Sequence, residues 1–173
     1  MDIGRREFVA GALGLGVLGA GAYTATSGDT GTVEAFELET LEAPGSEAGT
    51  ADIPRSGDVT VVKFFATWCG SCASMMPEVR TAYEEIGDDV QFVSVTYEPL
   101  GHAVTSDDVA DWWRNHDGAW TVAHDADFLL TDSLGVGGVP TTVVLDAENH
   151  VVAHDTGYKT EEEILGAVER ASG

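Results

Sequence analysis

The chain carries only two cysteines in 173 residues, Cys69 and Cys72, spaced C-x-x-C. What they constrain follows from where they fall. The run Val61-Val62-Lys63-Phe64-Phe65-Ala66 ahead of them is apolar, β-branched and aromatic, which predicts a buried strand. Behind them Met75, Val79, Ala82, Tyr83 and Ile86 recur at steps of three and four, one apolar face of a helix. The pair therefore sits where a strand ends and a helix begins. The first turn of a helix holds unsatisfied N–H groups and the positive end of the macrodipole, so it favours a thiolate. The thiolate is the nucleophile of disulfide exchange. Cys69 is expected at the helix entrance with its sulfur exposed, and Cys72 one turn later, beneath it, as the resolving thiol. A structural disulfide is a competing reading, but closing so short a loop removes only ~2 kcal/mol of unfolded-state entropy. Half of a zinc site is another, but no second cysteine pair completes four ligands.

Thirty acidic residues face eight basic ones, for a formal charge of −22. Nucleic acid and anionic membrane surfaces would be repelled, which leaves membrane contact to the N-terminal segment alone. Self-repulsion on this scale weakens a compact state unless salt screens it, and the Debye length falls to about 3 Å at 1 M. The composition resembles that of proteins from extreme halophiles, haloarchaea in particular. Residues 1–26 read as an address: Arg5-Arg6, then Phe8, then an uncharged Gly-, Ala- and Leu-rich run. This resembles a twin-arginine export signal. Ala20-Gly21-Ala22 is a cleavage site of the A-x-A kind, and uncut, residues 8–25 would serve as an anchor. Residues 27–32 form a polar linker. The remainder, 33–173, is expected to be one domain.

Within it, Val33 to Leu41 and Glu47 to Ile53 predict an entry hairpin turning at Pro44-Gly45-Ser46. Val90 to Tyr97 alternates as a second central strand. Thr105 opens a helix, with a hydroxyl cap and acids in its first turn, that carries Trp112 and Trp113. Trp120 to Ala123 predicts a short strand and Asp125 to Leu134 a helix. Thr141 to Leu145 and Val151 to His154 predict a hairpin, and Thr160-x-x-Glu163 a capping box opening the last helix. The order implies an α/β domain with a central mixed sheet, parallel in the first half and antiparallel in the terminal hairpin, with helices on both faces.

Trp68-Cys69-Gly70-Ser71-Cys72, Pro77 five residues beyond, and Val139-Pro140-Thr141-Thr142 ahead of a strand together resemble a thioredoxin fold. The leading hairpin, the inserted helix with Trp112 and Trp113, and the export signal narrow the resemblance to the extracytoplasmic TlpA/ResA-like thiol–disulfide oxidoreductases. The resemblance implies protein thiol and disulfide substrates, no cofactor beyond the Cys69–Cys72 disulfide, no metal, and a membrane thiol–electron donor in the reducing direction. Pro77 matches the proline that kinks the active-site helix. Pro140 matches a cis-proline beside the cysteines, where residue 139 pairs with an extended substrate segment. Trp68, Gly70, Ser71, Val139 and Pro140 are thus expected at the substrate-binding rim.

Two acids of the pattern are missing. Where thioredoxin has a buried acid six residues before its first cysteine, this chain has Lys63; where ResA-like proteins carry Glu three residues after the second cysteine, it has Met75. Strand alternation puts Lys63 on one face with Phe65 and Thr67. Turned inward, a buried amine would have a lowered pKa and could accept a proton, or, still charged, would favour the thiolates. Turned outward, it would reach solvent or a carboxylate. His102, His116, His124, His150 and His154 read as surface residues rather than a ligand set. Two other readings stand beside the oxidoreductase: a copper-binding chaperone of the Sco kind using Cys69, Cys72 and His102, and a binding module switched by its disulfide.

Overall fold

The computed structural model describes residues 31–173; the expected export segment at 1–26 and linker residues 27–30 lie outside the described residues. Seven strands form one sheet: β1 Phe36–Thr40, β2 Gly49–Ile53, β3 Thr60–Phe65, β4 Gln91–Thr96, β5 Thr121–His124, β6 Thr141–Leu145 and β7 Val151–Thr156. Their spatial order is β2-β1-β5-β4-β3-β6-β7. β3 is buried along its whole length, its Thr60 and Lys63 included. It pairs in parallel with β4, and β4 in parallel with β5. On the other side β6 and β7 add as an antiparallel hairpin. The entry hairpin joins far from β3, through antiparallel pairing of β1 with β5.

Four helices cover the sheet: α1 Gly70–Ile86, α2 Ser106–Asn115, α3 Leu129–Ser133 and α4 Glu161–Ser172. α1, α2 and α4 pack on the face that carries Val61, Phe65, Phe92 and Val144. α3 packs on the face of Val62, Phe64, Val93 and Val95. Aromatic rings fill the first layer: Phe65 stacks on Trp112 at 4.9 Å, and Trp113 meets Trp120 edge-on at 4.9 Å. Capping boxes at Thr105/Asp108 and Thr160/Glu163 start α2 and α4.

The helix expected over 125–134 contracts to α3. The Asp125 carboxylate accepts hydrogen bonds from Leu129 N (3.0 Å), Thr131 N (2.8 Å) and Thr131 Oγ1 (2.6 Å). With its side chain holding these donors and Phe128 at φ +60°, the segment before Leu129 is a turn. His124 also departs from its expected surface position. It closes β5, is buried, and its Nε2 donates to the Glu98 carbonyl at 2.9 Å.

Candidate active site

β3 delivers the chain to the site and α1 begins there. Cys69 is the N-cap of α1, in extended conformation, and its sulfur accepts the Cys72 N–H at 3.1 Å. Its own N–H donates to the Ala66 carbonyl at 3.1 Å, closing the turn between strand and helix. Cys69 and Cys72 are joined as a disulfide with Cα atoms 5.2 Å apart. The sulfur of Cys69 is therefore placed to receive an N–H donor and the helix dipole once it becomes a thiolate. Its expected exposure is not observed: Cys69 is 5% exposed and Cys72 fully buried. The disulfide lies against the layer of Phe65, Met75 and Met76, and the outward-facing side chain is its neighbour Trp68, 71% exposed. Gly70 and Ser71 are exposed at the start of α1, with the Ser71 hydroxyl 3.5 Å from the Cys69 sulfur.

The register of β3 against β6 pairs Phe64 with Thr141, which brings Val139 and Pro140 to the same end of the sheet as the cysteines. The Val139–Pro140 peptide bond is cis. The Pro140 carbonyl accepts from Gly157 N at 2.8 Å. Val139 is half-buried and touches both hydrophobic layers. Pro77 lies within α1, two turns from the cysteines, where it withholds one backbone N–H from the helix.

Lys63 turns inward. It is 1% exposed, and its Nζ has no hydrogen-bond partner. The cross-strand residue on β6 is Thr142, whose hydroxyl is also unpartnered. On the β4 side stands Ser94, whose oxygen accepts from Trp120 Nε1 at 3.0 Å. Burial pushes the Lys63 amine down to about 8. Neither outward alternative, solvent nor a carboxylate, is realised. Met75, where the related pattern has an acid, is buried in the same layer.

Glu98 belongs to this site and was not singled out from sequence. It is 4% exposed. Its carboxylate accepts from Thr67 N (2.7 Å), Thr67 Oγ1 (2.7 Å) and Thr96 Oγ1 (3.1 Å). Thr67 and Glu98 each lie two residues past the parallel pair Phe65↔Thr96, so pairing of the two strands would have been the clue. Read along the chain, Glu98 is only an acid before Pro99 in a loop. His102 is exposed in the turn beyond it. Among the described residues, no group of three or more His, Cys, Asp or Glu is arranged to hold a metal ion.

A C-x-x-C disulfide at the N-cap of the helix that follows a central strand, on this mixed sheet, defines a thioredoxin-like thiol–disulfide centre. The family model described as Redoxin matches residues 26–169, and the chain belongs to that family. Among curated proteins it is similar to thiol-disulfide oxidoreductase ResA of Bacillus cereus, 24% identical over 140 residues, covering 79% of this chain and 76% of that one. It is also similar to thiol:disulfide interchange protein DsbE of Pseudomonas aeruginosa, 28% identical over 122 residues, covering 69% of this chain and 61% of that one. Among solved structures, StoA from Bacillus subtilis superposes with a TM-score of 0.66 at 20% identity, over 79% of this chain and 97% of StoA. At these identities the structural likeness supports the fold. Among the described residues no helix is long and apolar enough to cross a membrane.

Proposed function

We propose that this chain is an exported thiol–disulfide oxidoreductase that exchanges its Cys69–Cys72 disulfide with cysteines of protein substrates, in a high-salt setting. The observation that carries the reading is the Cys69 sulfur at the N-cap of α1, accepting the Cys72 N–H at 3.1 Å. In the oxidising direction a substrate thiolate attacks Cys69. The Cys69–Cys72 bond breaks, a mixed disulfide forms, and Cys72 leaves as a thiolate. A second substrate thiolate then displaces Cys69, leaving the protein reduced and the substrate oxidised. The reducing direction is the reverse: the Cys69 thiolate attacks a substrate disulfide, and Cys72 resolves the intermediate. A membrane thiol–electron donor renews the dithiol in that direction.

Trp68, Gly70, Ser71 and Val139 form the rim that meets substrate. Among the described residues no backbone hydrogen bond engages Val139, which supports its pairing with an extended segment. Lys63 lies on the sheet face that α1 covers, and its positive charge would favour thiolate over thiol. The paired arginines ahead of the apolar run support export through a twin-arginine route, and the charge of −22 supports a halophilic source. The decisive experiment is catalytic reduction of insulin, or oxidation of a reduced unfolded protein, by the folded chain in molar KCl. Absence of turnover in both directions refutes the reading. A potential near about −270 mV assigns the reducing direction, and one near about −120 mV the oxidising one.

A further inference from the structure

Glu98 is a buried carboxylate with no cationic partner among the described residues. Its acceptor oxygens are occupied by Thr67 N, Thr67 Oγ1 and Thr96 Oγ1. Thr67 is two residues before Cys69, inside the turn closed by Cys69 N on the Ala66 carbonyl. Two donors from one residue to one carboxylate fix that residue's backbone and side chain together, and with them the approach to the nucleophile.

We infer that Glu98 is a positioning residue with two effects on the thiol–disulfide reaction: it braces the Thr67–Cys69 turn, and its negative charge opposes the Cys69 thiolate. The inference rests on the oxidoreductase reading above. The second effect has a definite sign. The disulfide carries no charge at Cys69, whereas the dithiol carries a thiolate there once the pH exceeds that thiol's pKa. A nearby negative charge therefore disfavours the reduced form, biasing the couple toward the disulfide and making the protein the stronger reductant. The charged or titratable groups on the elements packed around Glu98 are Lys63 on β3, Cys69 at the N-cap of α1 and Cys72 within it, His124 on β5, the buried Asp125 that follows it, and the adjacent Tyr97. Lys63 lies deeper in the sheet and acts in the opposite sense. Burial, then the charge of Glu98, raises the phenol of the adjacent Tyr97 above its ordinary 10.0.

The test uses the full folded chain in molar KCl. Glu98→Gln removes the charge and keeps an acceptor for Thr67; Thr67→Val removes one brace and keeps the charge. Two quantities are read: the Cys69 thiolate absorbance at 240 nm against pH, and the equilibrium constant with the glutathione couple. For E98Q the expected result is a lower Cys69 pKa and an equilibrium shifted about three- to tenfold toward the dithiol, the size of a partly screened repulsion across the Thr67–Cys69 turn. T67V is expected to move neither quantity but to slow exchange. An E98Q protein that folds with unchanged pKa and equilibrium constant overturns the electrostatic assignment, and so would T67V shifting both as far as E98Q. Should E98Q not fold, Glu98→Met carries the same expectation; if neither folds, Glu98 serves the fold alone and the inference fails. Wild type that exchanges with glutathione but not with protein substrates would sink the proposed function while leaving this result readable.

Discussion

Replacing Lys63 by methionine should stabilise the oxidised protein at neutral pH, and most of the gain should be lost on the alkaline side. Methionine nearly matches the volume and length of lysine without its charge. The Lys63 amine is 1% exposed, has no partner, and is lowered by burial from its ordinary 10.5 to about 8. At 1.36 kcal/mol per pKa unit, keeping the ammonium in the folded core costs about 3 kcal/mol. Below pH 8 both folded and unfolded chains hold the proton, so the full cost applies. Between pH 8 and 10.5 the unfolded chain binds more protons than the folded one, so wild-type stability rises with pH. By pH 10 the residual cost is about 1 kcal/mol. In the oxidised protein Cys69 and Cys72 are bonded to each other and contribute no titration there. The tyrosines with raised values, Tyr97 and Tyr158, cancel in the difference between the two proteins. The assay is urea unfolding of oxidised wild type and K63M in constant molar KCl at pH 7, 9 and 10. Expected is a gain of roughly 2–3 kcal/mol at pH 7 that shrinks by about 2 kcal/mol at pH 10. A difference independent of pH would show that Lys63 stays protonated or finds solvent, and would refute the reasoning.

Three further outcomes follow from the same structure. Cys72→Ser should abolish turnover and accumulate a mixed disulfide between Cys69 and substrate, seen on non-reducing gels; Cys69→Ser should accumulate none. Gly45→Ala should destabilise the protein by more than about 2 kcal/mol in urea, because Gly45 has φ +76° and an added Cβ would lie 2.0 Å from the Ala119 carbonyl oxygen. Thr160→Ala removes the hydroxyl that accepts Glu163 N at 3.3 Å and should cost about 1 kcal/mol by the same measure.

Much of the architecture was legible because local pattern and tertiary role coincided. The apolar run ending at Ala66 became β3, the three- and four-residue steps from Met75 to Ile86 became α1, and the strand–turn–helix junction placed Cys69 at an N-cap. The hydroxyl cap at Thr105 and the capping box at Thr160 were readable for the same reason: a cap is a contact between residues three apart. Reading became less sure where a side chain answered to something distant. The segment from Asp125 has helical periodicity, but Asp125 spends its carboxylate on Leu129 and Thr131 and shortens α3. His124 lies in a polar stretch, yet strand pairing buries it.

The site divides along the same line. The spacing of Cys69 and Cys72 and their place between strand and helix were determined by sequence alone, since both depend on contacts within a few residues. That Lys63 shares a face with Phe65 followed from alternation; that it is buried without a partner followed only from α1 closing over that face. The placing of Val139 beside the cysteines needed the β3–β6 register, and the grip of Glu98 on Thr67 needed the parallel pairing of β3 with β4. Those contacts join residues 31 and more positions apart. Which strands lie side by side is decided by burial summed over the whole sheet, and tertiary structure alone brings that buried acid to the turn before Cys69.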